Sequence, residues 1–258
     1  MERVVAAFFR ALASQLHPKM LALLIVPFAV ALVFWIVVAV LVWDPLIEFL
    51  QAMFFDGGGA IAWVYEKLAQ LGVEGLEGVA TVSVALLLLV PAMFVTALVL
   101  IAVLSMPLVN RHLGAGAYRN VVRHGSWSVP ASLWNAAAGT LVFALGYILT
   151  LPLWLIPPLG FVVPWLWWGW FTARVMRFDS LVEHAAPEER RDLIRRHRGQ
   201  YMALGLMVTV LNYVPPLFLV TPVLSALAFA HFSLALLRDE RAAASLAAQE
   251  RARELPSR

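Results

Sequence analysis

Hydroxyl and amide side chains stand at intervals along the apolar stretches of this chain, where neutral hydrogen-bond donors could hold a small anion. These side chains are Thr150, Thr209, Asn135, Asn212, Thr221 and Tyr213. In one interpretation they line a path for an anion, together with the N-termini of broken helices. In the other they satisfy backbone carbonyls or bond across helices, which contributes about 0.6 kcal/mol per hydrogen bond. Both interpretations place them on the inner faces of membrane helices.

His231 lies between Ala230 and Phe232 and, apart from tyrosine, is the one titratable group deep in the last apolar stretch. We consider two roles for it: a contact for a proton or an anion, and a structural histidine hydrogen-bonded inside a helix bundle. No aspartate or glutamate occurs at positions 78–178 or 201–237. Because proton and sodium relays use intramembrane carboxylates, the sequence argues against a relay of that kind.

Other kinds of chemistry lack their residues in this sequence. The absence of cysteine rules out disulfides and thiolate metal sites. No grouping of nucleophile, base and orienting acid occurs, nor do zinc-spaced histidines or a nucleotide-binding loop. No basic stripe with interleaved aromatic residues occurs outside the short loops, so nucleic acid is not an expected partner. We therefore expect no enzyme activity, no metal and no cofactor.

Two proline-rich stretches, 143–170 and 201–229, would have to position the polar groups, and they resemble each other. Each contains the pattern Ala-Leu-Gly-x-x-x-Thr, followed by Pro-Pro-Leu-x-x-Val-x-Pro. Proline lacks an amide proton and its ring clashes with the preceding turn, so each Pro-Pro pair should stop a helix. The predicted turns are therefore built on Pro157, Pro158, Pro164, Pro215, Pro216 and Pro222.

The breaks also restrict how these stretches can enter a membrane. Backbone groups freed at a break cannot face lipid, because each unsatisfied group costs several kcal/mol in hydrocarbon. A helix over 201–213 would rise only about 20 Å, against a hydrocarbon core of about 30 Å. We therefore predict two re-entrant helical hairpins, each returning to the side of the membrane from which it entered.

The composition is that of an integral membrane protein. Hydrophobic residues make up 62% of the chain and charged residues 14%, and the mean hydropathy is +0.83. The lipid bilayer is therefore an expected partner, and we predict a single all-α membrane domain. Its predicted segments are an interfacial amphipathic helix (1–19), a first transmembrane helix (20–43), an acidic external loop (44–80), a second transmembrane helix ending near Pro107 (81–109), a cytoplasmic loop (110–129), the first hairpin (130–173), a cytoplasmic connecting helix (174–200), the second hairpin (201–237) and a cytoplasmic tail (238–258).

The distribution of basic residues predicts the topology. Lys67 is the single base of the predicted external loop, and all the other Lys and Arg residues fall in segments assigned to one side. The positive-inside rule then places both termini in the cytoplasm. Pro187 followed by two glutamates predicts the start of a cytoplasmic helix, whose arginines form either a solvated face or a contact for anionic lipid headgroups.

Several short patterns in the chain agree in order and spacing with one family. They are Arg10-Ala11-Leu12, Ser14-Gln15, Pro18 and Pro27 near the start; Phe178-Asp179, Glu183-His184, Glu189-Arg190 and His197-Arg198 in the linker; and Leu204-Gly205, Pro215-Pro216, Pro222-Val223-Leu224 and His231 in the second hairpin. With these patterns the chain resembles the CysZ-like sulfate permeases and the wider etoposide-induced protein 2.4-like membrane proteins.

This resemblance implies an inner-membrane protein with the predicted architecture, which passes a small, sulfate-like inorganic anion. Sulfate permeases of the family carry Pro-Gly-Leu-Arg-Arg or a similar segment where the first spanning helix begins. Here Pro18 is followed by Lys19, Met20, Leu21 and Ala22, so the glycine and both arginines are missing. Lys19 is the candidate anion contact. Its ammonium group is a point charge and lacks the planar guanidinium group with which arginine makes two parallel hydrogen bonds. A non-transporting membrane scaffold is the alternative, and homo-oligomerisation stays open.

Overall fold

The computed structural model of the protein describes residues 1–56, 60–70, 76–125 and 129–254, and the regular secondary structure of these residues is helical, without any β-strand. The α-helices are α1 (Glu2–Gln15), α2 (Pro18–Gln51), α3 (Ala60–Gln70), α4 (Leu76–Ala115), α5 (Val129–Leu149), α6 (Pro157–Asp179), α7 (Pro187–Arg196), α8 (Arg198–Thr209) and α9 (Thr221–Glu254). A π-helical turn (Ala52–Asp56) follows α2, and 3-10 turns lie at Leu151–Leu155, Val210–Tyr213 and Leu217–Leu219. The all-α prediction is confirmed.

In the described part of the chain, four stretches are long and apolar enough to cross a membrane: Pro18–Phe54, Leu76–Ala115, Pro130–Leu149 and Thr221–Arg253. In the first three, most of the apolar side chains lie exposed on the protein surface. An exposed apolar surface of this extent is stable in lipid and not in water. The protein is therefore a multi-pass membrane protein in contact with the bilayer.

The chain forms two compact units, one of residues Ile25–Ile101 and one of Met1–Leu24 together with Ala102–Arg258. Within the first unit α2 and α4 pack against each other. The indole Nε1 of Trp35 donates to the hydroxyl of Thr96 at 3.0 Å, and the rings of Phe28 and Phe94 meet edge to face. All the candidate site residues belong to the second unit.

Both long helices run past their predicted ends. α2 continues through Pro45 to Gln51, and α4 continues past Pro107 to Ala115, so the predicted end near Pro107 is wrong. A proline inside a helix removes one hydrogen bond. Burial of Val109 and Leu113 beyond it offsets that loss.

Some predicted segments lie partly outside the described residues. These parts are 57–59 and 71–75 of the predicted external loop, 126–128 of the predicted cytoplasmic loop and 255–258 of the tail. The described part of the tail continues α9 as a helix to Glu254.

As predicted, neither α5 nor α8 continues through its proline pair, but each ends several residues before that pair. In the first stretch α5 ends at Leu149 and α6 begins at Pro157, with a 3-10 turn between them. In the second stretch α8 ends at Thr209, and Pro215-Pro216 lie between two 3-10 turns. The stretches differ at their last proline, because Pro164 lies inside α6 whereas Pro222 lies in the first turn of α9.

α9 is the central helix of the second unit. Its residues from Val223 to Leu237 are almost all buried, and α1, α6 and α8 pack around it. The hydroxyl of Ser233 lies 2.7 Å from that of Ser180 and 3.0 Å from that of Tyr201, so the polar groups in this core are paired. Burying a hydroxyl without a partner would cost about 1–3 kcal/mol.

α6 and α8 meet at glycines. A Cβ atom at Gly205 would collide with the carbonyl oxygen of Gly169 and would lie 2.9 Å from the Cβ of Ala173. Beside this contact the indole Nε1 of Trp165 donates to the carbonyl of Leu206 at 2.9 Å. Small residues at one face of each helix thus let the two backbones approach, as is common in membrane helix pairs.

Candidate functional site

Thr150 and Thr209 occupy equivalent positions and make equivalent hydrogen bonds. Each hydroxyl donates to the carbonyl of the glycine four residues before it, Gly146 or Gly205, at 2.8 Å. A hydroxyl has one proton, so in this arrangement neither threonine has a donor left for an anion. The geometry agrees with the interpretation in which these side chains satisfy backbone carbonyls at the ends of α5 and α8.

Lys19 lies exposed in the first turn of α2. Its backbone amide donates to Nδ1 of His17 at 3.2 Å, so His17 caps the start of the helix. The ring of His17 in turn packs 4.7 Å from the ring of His112. Within the described ranges no carboxylate forms an ion pair with Lys19. The ammonium group is therefore accessible to a solute.

Asn212 lies in the 3-10 turn that follows α8, with its side chain exposed. The turn belongs to the proline break of the second hairpin stretch, so Asn212 and Thr209 share one short segment. Lys19 belongs to a different element, the start of α2.

His231 is buried in α9 and both of its ring nitrogens are engaged. The hydroxyl of Ser14 lies 2.9 Å from Nε2, and that of Tyr118 lies 3.2 Å from Nδ1. Tyr118 also donates to the carbonyl of His231 at 3.1 Å. These partners satisfy a neutral imidazole, which agrees with the structural interpretation of this histidine.

A cavity of about 120 Å³ lies beside His231, between α1 and α9. Its charged lining consists of Arg3, Arg10, Arg238 and Asp239. These arginines were not predicted from the sequence to be site residues. A signal was nevertheless present, because Arg3 and Arg10 are seven residues apart, as are His231 and Arg238, and this spacing puts each pair on one helix face.

A comparison with protein families finds a match over most of the chain. The family described as sulfate transporter CysZ/etoposide-induced protein 2.4 matches residues 7–222, which is most of the chain. No curated protein and no solved structure shows significant similarity to the chain. The match covers most of the chain, and the chain is a helical membrane protein whose α-helices are interrupted near the predicted proline pairs. These observations together assign the family. The chain belongs to the sulfate transporter CysZ/etoposide-induced protein 2.4 family.

Proposed function

We propose that the protein conducts a small inorganic anion, sulfate-like in character, passively across the inner membrane of the cell. The observation that carries this proposal is the match of residues 7–222 to a family that includes sulfate transporters. In this proposal both termini, residues 110–129 and the linker between the hairpins are cytoplasmic, because every Lys and Arg residue except Lys67 falls in those segments. The basic residues would raise the local concentration of anions at the cytoplasmic entrance of the conduction path, which we call the mouth.

The proposed path is bordered by the start of α2 and by two re-entrant hairpins. The short arm of the second hairpin is α8, whose 12 residues rise about 18 Å, too little to cross a hydrocarbon core of about 30 Å. Lys19 would meet the anion at the mouth and Asn212 would contact it near the break. Thr150 and Thr209 would shape the path because their hydroxyl groups hold the ends of α5 and α8 in place. His231 would stabilise the elements at the entrance through its structural hydrogen bonds.

Passive conduction is proposed because carboxylates are absent from long apolar parts of the sequence. Positions 78–178 and 201–237 contain neither aspartate nor glutamate, so they offer no acid to carry a coupling proton or sodium ion. Neutral donors also bind an anion weakly enough for it to leave again, which conduction requires.

A non-transporting membrane scaffold is the second candidate function. It is favoured by one specific feature, the replacement of the Gly-Leu-Arg-Arg type of segment by Lys19, Met20, Leu21 and Ala22. Without the arginine fork the start of α2 offers an anion one point charge instead of bidentate contacts.

Replacement of Lys19 by alanine tests the role of the mouth. We expect Lys19→Ala to reduce sulfate flux into liposomes by roughly threefold, because it removes the accessible charge at the start of α2. The matched control is Lys67→Ala, which removes the other lysine of the chain, an exposed residue of α3 that donates to Gln70. Equal flux in the two variants would exclude Lys19 from the path and leave it as a contact for lipid headgroups.

A further inference from the structure

The cavity between α1 and α9 is built from two matching helix faces. Arg3, Ala6, Ala7 and Arg10 line it from α1, at the spacing of a single helix face. From α9 it is lined by His231, Ala235 and Arg238, among others. On both helices a small alanine lies between two basic residues. The small side chains of the alanines leave room for the cavity, and the long basic side chains surround it.

The two helices are held antiparallel around this space. At one end Ser14 bonds to His231, and at the other end Arg3 forms an ion pair with Asp239 at 3.7 Å. Val4, Ala7 and Ala11 of α1 are buried in the interface. The walls of the cavity are therefore fixed by contacts at both ends and along its length.

Charge in the cavity is unbalanced. Three guanidinium groups, those of Arg3, Arg10 and Arg238, line it against one carboxylate, that of Asp239. Asp239 is shared, since it also pairs with Arg238 at 3.2 Å. Among the described residues no carboxylate pairs with Arg10. With a neutral His231 the cavity carries an excess of two positive charges, which an anion of two negative charges would neutralise.

The remaining lining is apolar and selects the type of anion. Phe232, Leu236 and the three alanines form the apolar part of the lining. Guanidinium groups hold phosphate and sulfate oxygens with paired hydrogen bonds. A volume of about 120 Å³ holds several water molecules or one tetrahedral oxyanion.

We propose that this cavity is a binding site for one tetrahedral oxyanion, a sulfate or phosphate group. The group is either a free inorganic ion or the phosphate of an anionic lipid headgroup. Exposed apolar residues place the second source within reach, since such a face lies among headgroups. They are Val5, Phe9 and Leu12 of α1 and Leu16, which follows its end. The site does not depend on transport, and it is separate in sequence from Lys19 and the start of α2.

Two binding measurements on the full-length protein distinguish the sources. In neutral detergent, calorimetric titration with sodium sulfate and with sodium phosphate, at constant ionic strength set by chloride, measures the free ion. Native mass spectrometry of protein released from nanodiscs of phosphatidylcholine and phosphatidylglycerol measures retained anionic lipid. Arg10→Gln is the main variant, because this arginine is exposed and holds no carboxylate. Arg251→Gln, an exposed position of α9 outside the cavity, is the control.

Arg10→Gln should weaken binding by about tenfold in whichever arm shows it, while Arg251→Gln leaves binding unchanged. Asp239→Asn should strengthen binding, because it removes the single negative charge of the lining, and a merely damaged fold would not produce that gain. Saturable binding of sulfate or phosphate assigns the site to a free ion, and retention of phosphatidylglycerol alone assigns it to a lipid phosphate. The proposal is overturned if Arg10→Gln and Arg251→Gln behave alike in both arms, or if neither arm shows binding.

Discussion

Gly205→Ala should sharply destabilise the protein, whereas Gly199→Ala in the same helix should leave its stability unchanged or slightly raised. The added methyl group at Gly205 would meet the carbonyl oxygen of Gly169 and the Cβ of Ala173 on α6. A backbone oxygen cannot rotate aside as a flexible side chain can, so the two helices must separate. At Gly199 an added Cβ has open space around it.

The expected size of this effect follows from the cost of overpacking. Extra methyl groups in a packed core cost about 1–3 kcal/mol, and separation of α6 from α8 would also break the hydrogen bond from Trp165 to Leu206. A loss of that size lowers the thermal midpoint by roughly 2–12 °C in a chain of this length. At Gly199 alanine gains from its higher helix propensity, by up to about 1 kcal/mol.

The thermal midpoints of both variants are measured in the same detergent. Unfolding is monitored as the loss of the monodisperse peak in size-exclusion chromatography after heating. Equal midpoints for Gly205→Ala and wild type would show that α6 and α8 do not approach each other as closely as described. A third variant, Gly169→Ala, should behave like Gly205→Ala, because its Cβ would meet the side chain of Leu206 and lie 3.1 Å from the Cα of that residue.

Arg241→Ala should loosen the part of the second unit that surrounds α7. This arginine donates to both carboxylate oxygens of Glu189 at 2.8 Å, to the carbonyl of Val122 at 2.7 Å and to the carbonyl of His184 at 2.8 Å. One side chain on α9 thus joins α7, the turn before it and the loop after α4. Because the guanidinium group of Arg241 is partly exposed, we expect the free energy of unfolding to fall by about 2–4 kcal/mol. This is less than the sum of four hydrogen bonds from a charged donor.

Hydrogen exchange measures this loosening locally. Amides at 121–125 and 183–189 should exchange faster in Arg241→Ala, while those in the centre of α9 change little. Arg251→Ala, another exposed arginine of α9, is the matched control. Unchanged exchange in both segments would contradict the role given to Arg241.

Low pH should reduce the difference in unfolding free energy between the wild-type protein and Arg241→Ala. The hydrogen bonds from Arg241 hold the pKa of Glu189 below its usual range. A carboxylate with a lowered pKa stabilises the fold above its unfolded pKa, and that stability is lost as the pH falls through the folded value. The difference in unfolding free energy should therefore be full near neutral pH and shrink below about pH 4.5.

Local chemistry decided which parts of the fold could be predicted from sequence. The start of α6 at Pro157 and the absence of an α-helix through Pro215-Pro216 follow from the missing amide proton and the clash of the ring with the preceding turn. The start of α7 at Pro187 is of the same kind, with Glu189 accepting from the backbone amide of Ala186 at 3.4 Å. Such features depend on a few neighbouring residues.

Features that depend on tertiary packing were missed. Pro107 does not end α4, because Val109 and Leu113 beyond it are buried by distant segments. The partners of His231, which are Ser14 and Tyr118, lie 217 and 113 residues away in the chain. For the same reason the cavity was not predicted, since the spacing of Arg3 and Arg10 does not reveal that Arg238 lies across from them.

Sulfate flux through the wild-type protein tests the central claim most directly. Purified protein is reconstituted into liposomes, and uptake of radiolabelled sulfate is compared with that of protein-free liposomes of the same lipid, without any proton or sodium gradient. Chloride and phosphate are measured in the same way. The account predicts faster uptake of at least one of these anions into the protein-containing liposomes, driven by the anion gradient alone. If all three anions enter both kinds of liposome at equal rates, the transport function is contradicted and the scaffold function takes its place.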